Sequence, residues 1–117
     1  MNKRTLNTKV AGVTFEGRQA YIAKLSGGEP CRIVPEPDNK YDPNALAVHV
    51  SHNGTIYHVG YIPKELAAEI APHLDGEAII CSIAGITGGF QLGDTEDYAA
   101  YGLLIRIELP GLDEVSL

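Results

Sequence analysis

The chain has 117 residues, 44% hydrophobic and 21% charged, which leaves room for one globular domain with a single core. Its formal net charge of −6 argues against a protein that coats duplex DNA or an anionic membrane through its overall field. No run approaches the roughly 18 apolar residues of a membrane helix, and no apolar segment follows the basic start Met1-Asn2-Lys3-Arg4, so no secretory signal is read and the cytoplasm is the expected compartment.

Residues 1–7 are polar and are expected to be loose. From Thr8 the pattern alternates, Ala11, Val13 and Phe15 against Val10, Gly12 and Thr14, which predicts a first strand with Gly12 as a bulge or close approach. Gly17-Arg18-Gln19 reads as a turn and 20–25 as a short helical turn, ended by Ser26-Gly27-Gly28. Cys31 to Val34 is the second strand. Ala45 to His52 is the third, with Leu46, Val48 and Val50 on one face. Asn53-Gly54 predicts a tight hairpin into a fourth strand, Thr55 to Ile62.

Pro63 suits the first position of a helix. Leu66, Ala67, Ile70, Ala71 and Leu74 then fall on one helical face, so a helix is predicted over 63–74, closed by Asp75-Gly76. A fifth strand is predicted over Glu77 to Ile86, a glycine-rich loop over Thr87 to Asp94, and a sixth strand over Tyr98 to Leu109, with Leu103, Ile105, Ile107 and Leu109 inward. Pro110 stops it, and residues 111–117 are expected to be flexible. Six short strands and one helix predict a mainly β fold, a small OB-like barrel capped or plugged by the helix, as a single domain over 8–110.

Between the second and third strands lies Glu36-Pro37-Asp38-Asn39-Lys40-Tyr41-Asp42-Pro43-Asn44-Ala45. Proline fixes φ, and Asp and Asn bond their own backbone, so this is an ordered loop. A plain connection needs only a few residues, and the excess length with an aromatic at its centre marks it as a binding element.

Catalytic and metal chemistry are poorly supported. Cys31 and Cys81 each sit inside an apolar run and are expected to be buried, reduced and structural. His49 and His58 fall on facing strands, but no clustered carboxylate completes a ligand set, so neither metal nor cofactor is expected. No nucleophile elbow, phosphate loop or dinucleotide fingerprint occurs. Exposed aromatics with a few cations remain, the composition of a single-stranded nucleic-acid site. Tyr41 and Phe90, in polar or glycine-rich loops, are the aromatics placed outside the core. Seven of the nine Lys and Arg residues lie before Asn44, so the N-terminal half is the more cationic.

The loop Glu36–Ala45, then the hairpin, then Val59-Gly60-Tyr61-Ile62-Pro63-Lys64-Glu65-Leu66-Ala67, resembles the HIRAN domain. That domain occurs at the N-terminus of Swi/Snf-type fork-remodelling helicases such as the helicase-like transcription factor, and as a stand-alone unit in bacteria and phages. The resemblance covers roughly Lys9 to Leu109. It implies an OB-like barrel and, from the eukaryotic members, recognition of single-stranded DNA at a free 3′-hydroxyl end. Carried over by position, Asn39, Tyr41 and Asp42 lie in the end-binding loop. Tyr41 would stack on the terminal base, and Asp42 would accept a hydrogen bond from the 3′-hydroxyl. Lys64 matches a phosphate-contacting lysine, and the helix start adds its positive end there. Phe90 matches an aromatic in the late loop that packs against bases. Arg18, Gln19 and Tyr61 complete the residues implied to meet DNA.

The chain departs from the pattern after the first strand, where the eukaryotic site has Arg-Tyr-Tyr and this sequence has Arg18-Gln19-Ala20-Tyr21. One stacking aromatic is missing or displaced there, a loss of about 1–3 kcal/mol, so weak and salt-sensitive binding is expected. The expected function is a non-enzymatic module for single-stranded DNA ends in repair, replication or defence. The alternative is a protein-interaction module that docks to a helicase or nuclease.

Overall fold

The computed structural model describes residues 3–74, 79–93 and 99–110. In chain order its elements are β1 (Lys3–Lys9), α1 (Arg18–Ile22), β2 (Pro30–Pro35), β3 (Leu46–His52), β4 (Thr55–Tyr61), α2 (Lys64–Ile70) running into a 3-10 turn (Ala71–His73), β5 (Ile79–Thr87) and β6 (Gly102–Pro110). The strands form one antiparallel sheet in the order β1-β6-β5-β2-β3-β4.

The two ends of that sheet are joined. Beyond β1, Val10 donates its N–H to the carbonyl of Leu103 at 2.9 Å. One residue later the chain has crossed to β4: Ala11 N–H donates to the Tyr61 carbonyl at 2.7 Å, and Tyr61 N–H donates back to the Ala11 carbonyl at 2.9 Å. This two-bond bridge curls the sheet into the OB-like barrel expected from the strand count. Gly60 permits it. Its φ is 155°, and a Cβ there would collide with the Ala11 carbonyl oxygen and come within 2.6 Å of Val10 Cγ1.

The hairpin turns at Asn53 and Gly54, with φ of 50° and 80°, the left-handed pair that suits the right-handed strand twist. β4 carries one residue more than β3 opposite it. The register passes from Val48↔Gly60 to His49↔His58, and Val59 is the extra residue, pointing into the core. The inner face of β6 is Leu103, Ile105 and Ile107, and that of β3 is Leu46, Val48 and Val50, all at most 2% exposed, as the alternation predicts. Ala67, Ile70 and Leu74 bring α2 and its 3-10 turn onto this core.

Three local predictions are corrected. The first strand is β1 at Lys3–Lys9, where looseness was expected, and it does not run from Thr8 to Phe15. Its polar residues have little propensity of their own; a seven-residue register with β6 stabilises them, and Leu6 packs against the core. The alternation of Val13 and Phe15 is instead a pair of turns, with Phe15 N–H on the Gly12 carbonyl and Arg18 N–H on the Phe15 carbonyl. The helical turn expected over 20–25 begins earlier, at Arg18, because Glu16 and Gly17 (φ 55° and 73°) redirect the chain just before it. The predicted helix stop at Asp75-Gly76, the strand starts at Glu77 and Tyr98, and the tail 111–117 fall outside the described residues.

Cys31 and Cys81 face each other across β2 and β5 as buried free thiols. Hydrogen bonding to Cys81, then burial, pushes the Cys31 thiol far up, so it stays protonated and inert.

Candidate functional site

The loop between β2 and β3 builds itself from short side-chain bonds. Its base is closed by Glu36 N–H on the Ala45 carbonyl at 2.9 Å. Asn39 Oδ1 accepts the N–H groups of Tyr41 (2.9 Å) and Asp42 (3.0 Å), and Asn39 Nδ2 donates to Glu36 Oε1 at 3.1 Å. Asp42 Oδ1 accepts Asn44 N–H at 2.9 Å. These nested turns are the reason Asn and Asp occupy those positions. They leave Tyr41 pointing out, 84% exposed, with the Lys40 ammonium 5.1 Å from its ring centroid. Asn39→Ala removes the acceptor for two loop amides. A drop of about 1–2 kcal/mol in stability is expected from chemical denaturation, together with faster hydrogen exchange at Tyr41 and Asp42.

The second wall is the turn that follows the barrel closure. Arg18 is only 4% exposed; Nη1 donates to the Gly12 carbonyl at 2.8 Å and Nη2 pairs with Glu16 at 2.6 Å. Its guanidinium lies 5.4 Å over the ring of Tyr61, whose hydroxyl donates to Glu36 Oε1 at 3.0 Å. Glu36 therefore receives both the loop amide of Asn39 and the Tyr61 hydroxyl, and Tyr61 links the two walls through Arg18. Burial first, then the Glu36 carboxylate, raises the Tyr61 phenol above its ordinary value, so it remains a donor. On this turn Phe15 is 65% exposed.

Between the walls lies a cleft of about 780 Å³, within the range of small-ligand sites. Six of the eight expected residues line it: Arg18, Asn39, Tyr41, Asp42, Tyr61 and Lys64. Lys40 lines it too, and its three cations face two carboxylates, Glu16 and Asp42, in a chain whose net charge is −6. Gln19 and Phe90 are not brought to the cleft. The Gln19 amide donates to the carbonyls of Val13 (2.9 Å) and Tyr101 (3.0 Å) and accepts the Tyr101 N–H at 2.7 Å, tying α1 to the start of β6. Phe90 is 60% exposed in the loop between β5 and β6, away from the cleft lining.

Phe15 was missed as a site residue because its alternation with Val13 read as a strand. The usable signal was an aromatic between two glycines, Gly12 and Gly17, with Thr14 and Glu16 beside it, which is turn chemistry. It supplies an exposed ring on the wall where the family pattern has an aromatic that the Arg18–Tyr21 run lacks. Among the described residues no group of three or more His, Cys, Asp or Glu is placed to hold a metal ion, and no helix is long and apolar enough to cross a membrane.

A family model described as the HIRAN domain matches residues 3–89. The chain is also similar to a putative SWI/SNF-related matrix-associated actin-dependent regulator of chromatin subfamily A member 3-like 1 of Arabidopsis thaliana, 36% identical over 64 residues. That alignment covers 55% of this chain and 7% of the plant protein, so the chain spans a small part of that relative's length. No solved structure matches the chain.

Proposed function

Because the chain belongs to the HIRAN domain family, a family of DNA-binding modules that are not catalytic by themselves, we propose that it binds single-stranded DNA by its 3′-hydroxyl end in the cleft between its two aromatic walls. The observation that carries this reading is the pair of exposed rings, Phe15 and Tyr41, one on each segment lining a cleft that also holds Asp42, Lys40 and Lys64. An exposed ring beside a cleft offers a flat face on which a nucleobase can stack. Lys40 and Lys64 supply charge for phosphates. Asp42 spends one carboxylate oxygen on Asn44 and keeps the other as an acceptor.

A carboxylate accepts from a terminal hydroxyl and repels a terminal phosphate. Fluorescence anisotropy with a short oligonucleotide bearing a 3′-hydroxyl or a 3′-phosphate tests this. The hydroxyl form is expected to bind about tenfold or more tightly, and Asp42→Asn to narrow that gap. Equal binding of both ends, or none at low salt, overturns the proposal. Lys64→Ala should weaken both ends alike and reduce the salt slope by about 0.7. We extend the proposal to a repair, replication or defence setting, in which free 3′ ends arise. A docking role toward a helicase or nuclease is the reading favoured by the net charge of −6, and a stoichiometric partner recovered after nuclease treatment would support it.

A further inference from the structure

The outer face of β2, β3 and β4 carries a row of side chains that the cleft does not use. Register sets Arg32 opposite His49, and His49 opposite His58. The row therefore runs across the strands, at about 4.8 Å per step. The two imidazole centroids are 5.2 Å apart, and His58 meets the ring of Tyr61 edge-on at 4.9 Å. Tyr61 lines the cleft. The row is thus continuous with the cleft wall at one end, and it finishes at the exposed Arg32 at the other.

The other side chains that share this face by alternation, Pro30, Val34, Ala47, Ser51 and Ile56, bear no charge. In a chain with 15 acidic residues, a strip with arginine and two histidines, where the carboxylate facing His58, that of Glu36, already accepts from Asn39 and the Tyr61 hydroxyl, is favourable ground for a phosphate. The groups facing His58 are Arg18 from α1, Glu36 from the loop after β2, His49 from β3, and Tyr61 on its own strand. Its Nε2–H donates to the Gly60 carbonyl at 3.0 Å, which leaves Nδ1 as the site that gains a proton. Burial first, then the Arg18 charge, lowers its pKa from the ordinary histidine value. His58 therefore stays neutral near neutral pH and gains its charge only below the ordinary histidine range.

We propose that the Arg32–His49–His58 row is a second subsite for the same DNA strand, receiving backbone phosphates as the strand leaves the cleft across β4, β3 and β2. The proposal rests on the cleft holding the 3′ end. From His58 to Arg32 the row spans about 10 Å, enough for more than one phosphate.

A trinucleotide and a decanucleotide, both with a free 3′-hydroxyl, separate the two subsites. The decanucleotide is expected to bind several-fold more tightly to the wild type. Arg32→Ala, a change at an exposed strand position, should leave trinucleotide binding unchanged while weakening the decanucleotide several-fold and lowering its salt slope by about 0.7. The decanucleotide should also tighten relative to the trinucleotide as pH falls below the ordinary histidine range, a gain that His58→Gln reduces. Equal affinity for the two lengths, or an Arg32→Ala variant with an unchanged decanucleotide slope, overturns the second subsite while wild-type trinucleotide binding upholds the cleft. Failure of the wild type to bind the trinucleotide overturns the cleft reading and the row with it.

Discussion

Replacing both exposed rings, Phe15→Ala with Tyr41→Ala, should reduce affinity for a single-stranded 3′ end by about one and a half to four decades without lowering the melting temperature. Each base–aromatic stack contributes about 1–3 kcal/mol, and a decade is about 1.4 kcal/mol. The rings are 65% and 84% exposed, so little core packing is lost with them. Tyr41 has Lys40 as its ring neighbour, and the loop beneath it is held by Asn39 and Asp42 rather than by the ring. Anisotropy together with differential scanning calorimetry reads both quantities. A double variant that melts early would mean the rings support the walls. One that melts normally and binds normally would remove stacking from the mechanism. The single variants should be close to additive if each ring takes its own base, and strongly non-additive if one base is held between them.

The largest expected effect on folding is at Gly60. Gly60→Ala places a methyl against the Ala11 carbonyl and Val10, so the bridge that closes the barrel must open or shift. A loss of about 3 kcal/mol is expected, or a melting temperature lower by about 10–20 °C. Ala11 and Tyr61 also line the cleft, so DNA binding should weaken in the fraction that stays folded. Gly85→Ala is the control: its added Cβ would sit 3.5 Å from Leu104 Cδ1, an ordinary contact, and stability should change little. If the two alanines behave alike, barrel closure at Gly60 is not what stabilises the sheet. Hydrogen exchange localises the effect: the amides of Ala11 and Tyr61 should lose protection before those of β5 and β6.

Most of the core was legible as alternation. In β6, and in β3 beyond Ala47, one face is buried and the other is less so, so a period of two survives in the sequence and names Leu46, Val48, Val50, Leu103, Ile105 and Ile107. The hairpin and the loop between β2 and β3 were legible for a different reason. Asn53-Gly54, and Asn39 with Asp42, act on backbone within a few residues of themselves, so their effect is local and carries its own residue signature. The resemblance to the family rested on those same local segments.

What the sequence by itself determined is therefore the set of short-range facts: strands with a buried face, the Lys64–Ile70 helix, the turn chemistry, and the loop that presents Tyr41 and Asp42. The tertiary structure alone decided which distant segments meet. Lys3–Lys9 is a strand because β6 lies beside it, and polar residues with no pattern of their own cannot announce that. Arg18 and Gln19 have the chemistry of ligand contacts, but the fold brings the Gly12 and Tyr101 backbones within reach, and buried donors must be satisfied before any remain for DNA. Phe15 is exposed because the closure at Ala11 and the turn after it swing its segment away from the sheet, to a wall whose other side lies more than twenty residues further along the chain. Contacts at that separation depend on the closed sheet as a whole, and no local pattern encodes them.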